Sequence, residues 1–129
     1  EGLILLHTIG TIDPPGSIQP FIQKYIFPGG IVPSMSEVVK SIENNGLIIS
    51  DVESLIHHYD KTLKAWLDRF LESKRRVRQL YDDKFVRMWT FYLASTSAAF
   101  KFRDLVVYQF QLVKDFKAIP SNRRDYIYS

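Results

Sequence analysis

An α/β fold is predicted for these 129 residues, and three features predict it. The chain opens on the apolar run Leu3-Ile4-Leu5-Leu6, which follows Gly2 and delivers the polar pair His7-Thr8. This is how a strand buried on both faces of a parallel sheet reads. Two long stretches in the middle repeat apolar residues every three or four positions, the spacing of amphipathic helices. Near the end, Leu105 to Val113 sets Tyr108, Phe110 and Leu112 against Gln109 and Gln111, which predicts a closing strand with one less buried face.

The elements follow in order. His7 stands at the end of the first strand, where ligands of open α/β sheets gather. Gly10 to Ser17, with Pro14-Pro15 at its centre, can continue neither a ladder nor a helix and predicts a loop over that strand end. Ile18 to Ile26 carries Phe21, Ile22, Tyr25 and Ile26 at helical spacing, and Phe27-Pro28-Gly29-Gly30 stops it. Ser34-Met35-Ser36-Glu37 is a capping box, and the helix it opens should end at Asn44-Asn45-Gly46, where Gly suits a left-handed cap. Leu47-Ile48-Ile49 predicts a second short strand.

From Glu53, the positions Leu55, Ile56, Tyr59, Leu63, Trp66, Leu67, Phe70 and Leu71 predict one face of a long helix. A second helix places Phe85, Met88, Trp89, Tyr92, Thr96, Ala99 and Phe100 on one stripe, so Thr96 lies among aromatic residues and needs a hydrogen-bond partner. Lys74-Arg75-Arg76-Val77-Arg78 reads as a solvated helical end. The adjacent His57 and His58 point apart on a helix, so no metal site is expected. A basic, aromatic tail closes the chain.

Composition bounds the class. With 46% hydrophobic and 24% charged residues the chain can bury an ordinary core. The absence of cysteine excludes disulfides and thiolate metal sites and permits a reducing compartment, so a cytoplasmic setting is expected. No apolar stretch approaches the roughly 20 residues of a membrane helix, and no signal segment is evident. A net charge of +3 is too mild for the concentrated basic face of a nucleic-acid binder.

Several motifs occur in the order found in one enzyme group: Leu5-Leu6-His7-Thr8-Ile9, Lys24-Tyr25-Ile26-Phe27-Pro28-Gly29-Gly30, and His58-Tyr59-Asp60-Lys61-Thr62-Leu63-Lys64-Ala65-Trp66. Phe85-Val86-Arg87-Met88-Trp89, Tyr92-Leu93, Ala99-Phe100 and Arg124-Asp125-Tyr126 extend the match over nearly the whole chain. The chain resembles the C-terminal part of cyclopropane-fatty-acyl-phospholipid synthases, with mycolic acid cyclopropane synthases as similar enzymes. The resemblance implies the C-terminal half of a Rossmann-like class I methyltransferase: about three strands with an inserted helical cap and long amphipathic helices. It further implies methyl transfer from S-adenosylmethionine to a cis double bond in a phospholipid acyl chain, with a bound bicarbonate as base.

By motif match, His7 and Tyr59 would be the histidine and tyrosine that hold bicarbonate, and they should converge on one pocket. Thr96 takes the position of the family's cysteine. Each has a structural alternative: a hydrogen-bonded His, a core Tyr, and a Thr bonded to the carbonyl one turn back. Nothing resembles the Gly-rich turn or acidic residue that would cradle the cofactor. Residues 1–129 are therefore expected to form a single partial domain that lacks the upstream cofactor-binding half and binds S-adenosylmethionine weakly or not at all. The implied partners are an unsaturated phospholipid acyl chain and an anionic membrane surface met by the Lys74–Arg78 run, with no nucleic acid. A halved sheet favours a homodimer or strand exchange. A non-catalytic cap or docking module, and an enzyme making a methyl-branched or methylene product, stand as the alternative readings.

Overall fold

The computed structural model describes residues 2–119 and 124–128. Three strands, β1 (Leu3–Thr11), β2 (Ile48–Leu55) and β3 (Leu105–Val113), form one sheet in the order β1-β3-β2. Among the described residues five α-helices accompany them: α1 (Pro20–Tyr25), α2 (Met35–Asn44), α3 (Tyr59–Glu72), α4 (Lys74–Leu80) and α5 (Asp83–Phe102). None of the described helices is long and apolar enough to cross a membrane. The described part of the basic tail forms two short 3-10 turns, Phe116–Ala118 and Arg124–Ile127, and the rest lies outside the described residues.

β3 is the centre of the sheet, antiparallel to both neighbours. Its alternate residues Val106, Tyr108, Phe110 and Leu112 pack against Val38 and Ile42 of α2. On the other face Val107 meets Leu63, Leu93 and Phe100 of α3 and α5. The sheet is thus sandwiched between α2 and the α3/α5 pair, the layering of an α/β domain. The alternation with Gln109 and Gln111 describes the less covered end of that second face, and this last strand of the described chain is central in the sheet.

Three expectations are corrected. β1 is an edge strand antiparallel to β3, not a strand buried on both faces of a parallel sheet, and Leu3, Ile4 and Leu5 are exposed. An apolar run reports the wish to be covered, and among the described residues only β3 pairs with it. β2 runs to Leu55, so the long helix does not begin at Glu53. Asp51, Val52, Glu53, Ser54 and Leu55 pair with β3 after an irregularity between Ile49 and Asp51, and α3 starts at Tyr59 after His57 takes a positive φ of 61°. Finally, the basic run forms a separate helix, α4, after a break at Ser73.

Local chemistry fixes the connections. Ser34 Oγ accepts from the Glu37 N–H at 3.3 Å while the Glu37 carboxylate accepts from the Ser34 N–H at 2.8 Å, the predicted capping box. α2 ends at Gly46 with φ 65°, the predicted left-handed cap. At Gly10 a Cβ would lie 2.5 Å from the Tyr108 ring and 2.9 Å from the Pro33 carbonyl. Only glycine therefore lets Tyr108 cross β1 and donate to the Thr11 carbonyl at 3.0 Å, which holds the following loop over the sheet. At the other end Arg124 grips Asp51 through two bonds, of 2.6 and 2.9 Å, and ties the tail to β2.

Candidate active site

α5 supplies most of the site. Leu93 and Phe100, seven residues apart, are driven into the core, so the adjoining stripe with Tyr92 and Thr96 faces the loop after β1. That stripe, α1 and the Asp13–Gln19 loop enclose a cavity of about 670 Å³. Its apolar wall includes Ile9, Ile22, Phe27, Phe91 and Phe100, with Thr96 and Ser95 on α5 and Asp13, Arg103 and Asp104 also among the lining residues. A second cavity of about 430 Å³, lined by Trp66, Phe70, Trp89 and Leu93 among others, shares Phe27 and Tyr92 with the first. The two shared rings meet edge to face with centroids 6.1 Å apart.

Thr96 lines the larger cavity. Its neighbours follow the back-bonding pattern, Thr90 Oγ1 donating to the Val86 carbonyl at 2.7 Å and Ser95 Oγ to that of Tyr92 at 3.1 Å. Thr96 has no hydrogen-bond partner among the described residues, so its hydroxyl is available to whatever fills the cavity.

Tyr59 begins α3 and packs its ring on Phe100 at 5.1 Å and against Trp66 at 6.0 Å. Burial pushes the Tyr92 phenol above its ordinary value, and the nearby Tyr59 adds to the rise. Tyr59 and Tyr92 both pack against the cluster of Leu63, Leu93, Phe100 and Val107 on the helix-covered side of the sheet, and Tyr92 stands one helical turn from Thr96 on α5. The sequence places Tyr92 in the Tyr92-Leu93 motif and on the apolar stripe, and neither assigns it a role. Its spacing of four from Thr96 was the available signal, since such residues share a helix face.

His7 sits in the middle of β1, not at its end. It is exposed, and its Nδ1 lies 3.1 Å from the Gln109 amide nitrogen, within hydrogen-bond distance. Register puts His7 opposite Gln109 and Gln109 opposite Glu53, a polar row beside the row Ile9, Val107 and Leu55. Directly paired residues share a face. His7 and the Tyr59 cluster thus lie on one side of the sheet, but neither His7 nor Tyr59 lines the cavity that Thr96 lines.

The described residues do not fit S-adenosylmethionine. Gly16 lines the larger cavity, yet a Cβ there would meet only the Pro14 carbonyl at 3.8 Å, so no close backbone approach depends on it. Thr96 and Tyr92, whose hydroxyls can donate, line the larger cavity, whereas Tyr59 and His7 lie outside its lining.

The fold is that of a methyltransferase: a solved mycolic acid cyclopropane synthase, CmaA1, complexed with SAH and CTAB, superposes with a TM-score of 0.76 at 30% identity, covering 86% of this chain and 44% of that one. A family model described as mycolic acid cyclopropane synthetase matches residues 1–110, and the chain belongs to that family of lipid-modifying, S-adenosylmethionine-dependent methyltransferases. It is 38% identical over 109 residues to the cyclopropane-fatty-acyl-phospholipid synthase of Escherichia coli (strain K12), covering 84% of this chain and 28% of that protein. It is 41% identical over 99 residues to a tuberculostearic acid methyltransferase of Mycobacterium tuberculosis, covering 75% of this chain and 23% of that protein. The chain thus spans about a quarter of the length of these relatives.

Proposed function

We propose that this chain forms the acyl-binding part of an enzyme that methylates the cis double bond of unsaturated phospholipid acyl chains with S-adenosylmethionine, giving cyclopropane fatty acids. The observation that carries this reading is the apolar cavity of about 670 Å³ with the unpartnered Thr96 hydroxyl on its wall. Its size falls within the roughly 300–1,000 Å³ of small-molecule sites. An alkene carbon that gains a methyl group leaves its neighbour cationic, and ring closure then releases a proton from the new methyl. The rings of Phe91, Tyr92 and Phe100 would face such a cation, and the apolar wall would keep water from it.

Thr96, Tyr59 and Tyr92 are the hydroxyl donors that would hold a bicarbonate ion, with His7 as a further donor on the same face of the sheet. Bicarbonate there would supply the proton acceptor. The residues that cradle S-adenosylmethionine would belong to sequence outside residues 1–129, so the chain by itself is inert in transfer. The exposed edge of β1 supports this, since it offers its backbone and three apolar side chains to further sheet. The setting is cytoplasmic and peripheral to the membrane that holds the substrate.

The test is transfer of labelled methyl to vesicles of unsaturated phospholipid, with the remainder of the methyltransferase fold joined to this chain. Label in the acyl fraction, with a mass gain of one CH2, is expected; its absence removes the reading. Tyr59→Phe should lower the rate about 10- to 100-fold, the worth of a hydrogen bond to a charged group, while the melting temperature stays within a few degrees. Thr96→Val should act likewise and Thr96→Ser should not. A methyl-branched or methylene product is the second reading, favoured by Thr96 in place of the family's cysteine. Two hydrogens of extra mass mark the branched product, and olefinic proton resonances distinguish a methylene from a ring.

A further inference from the structure

We propose that helix α4 and Tyr81 just beyond it form the element that docks this protein onto an anionic lipid bilayer. The inference rests on the lipid substrate proposed above and names the surface that meets it. α4 carries Lys74, Arg75, Arg76 and Arg78 in seven residues and no acidic one, more positive charge than the net +3 of the whole chain. Arg75 and Arg76 are exposed, and Arg78 is oriented by Asp83 at 2.6 Å. Within the same turn Leu80 is 71% and Tyr81 60% exposed. Arg76 and Leu80 lie four apart and share one side of the helix. Cations beside uncovered apolar side chains complement both layers of a membrane interface, phosphate outside and acyl carbon beneath.

The position suits the role. Tyr81 stacks on Phe85 with centroids 4.3 Å apart, and Phe85 stacks on Trp89 at 5.8 Å. Trp89 lines the smaller cavity, which shares Phe27 and Tyr92 with the larger. A row of rings therefore runs from the docking element to the acyl site. A nucleic acid would also attract the arginines, but it has no use for Leu80 next to them; the bilayer accounts for both.

The experiment is co-sedimentation with large vesicles of phosphatidylcholine, with and without phosphatidylglycerol. Binding should require phosphatidylglycerol and fall as salt rises. The double variant Arg75→Gln/Arg76→Gln should bind about thirtyfold more weakly, from roughly fivefold per basic residue near an anionic surface. Leu80→Ser/Tyr81→Ser should also weaken binding, whereas Lys114→Gln/Lys117→Gln, which removes the same charge beyond β3, should stay within about twofold. Equal binding to pure phosphatidylcholine, an equal loss in the lysine control, or full displacement of vesicles by duplex DNA at matched phosphate would overturn the proposal. Methyl transfer to detergent-dispersed phospholipid separates the two claims. With the remainder of the methyltransferase fold joined, an arginine variant active on dispersed lipid and slow on vesicles supports docking, and vesicle binding without any transfer by that joined enzyme would remove the catalytic reading alone.

Discussion

Burial first, and the Tyr59 phenol second, raise Tyr92 above its ordinary value of 10.0. The folded state therefore holds that proton more tightly than the unfolded chain does. The resulting stability is complete below pH 10 and is lost as pH climbs from there through the raised folded value. Tyr92→Phe should flatten the alkaline limb of a stability–pH curve measured by urea unfolding; an unchanged limb would mean that other groups set it. Tyr108, raised by burial alone, would contribute the part that remains. At this scale the sequence was informative about identity and silent about state. Thr96 could be placed on an aromatic stripe from its spacing, but that its hydroxyl stays unpartnered while Thr90 and Ser95 bond back to their own helix depends on rotamers that spacing does not encode.

α2 was legible from end to end because its signals are local. The capping box at Ser34 and the left-handed Gly46 involve residues within a turn of each other, and each bond forms whatever the rest of the chain does. Ser34 is also nearly fully buried and bridges to Thr11 of β1, so its cap sits where water cannot replace it. Ser34→Ala should cost about 1–2 kcal/mol by urea denaturation, toward the upper end for a cap; a loss below a few tenths would contradict this. The boundary between β2 and α3 was not legible. Leu55, Ile56 and Tyr59 satisfy helical spacing, and Asp51 to Leu55 also satisfy strand alternation, so pairing with β3 decides which period wins. The split between α3 and α4 at Ser73 likewise follows from packing, as both helices must turn against α5.

For the whole molecule, the consequence of greatest reach is the bare edge of β1. Leu5 is 65% exposed there, beside Leu3 and Ile4, and an uncovered apolar edge strand recruits another strand. The isolated chain should self-associate with rising concentration in sedimentation velocity. Leu5→Lys should return it toward the 15.1 kDa monomer, because the lysine forfeits the roughly 1.5–3 kcal/mol of a buried leucine at each contact. Sedimentation identical for both proteins would count against an edge contact. The sequence alone determined the α/β class, the three strand cores, the capped α2, the amphipathic helices and the motifs that place the chain in its family, because periodicity, caps and short motifs are properties of neighbours along the chain. Tertiary structure alone decided that β3 is central and β1 an edge, that His7 lies mid-strand on the row beside Ile9, Val107 and Leu55, and that Tyr92 joins two cavities. Those facts arise from contacts between residues far apart in sequence, where many pairings satisfy the same local pattern and only the packing of the whole selects one.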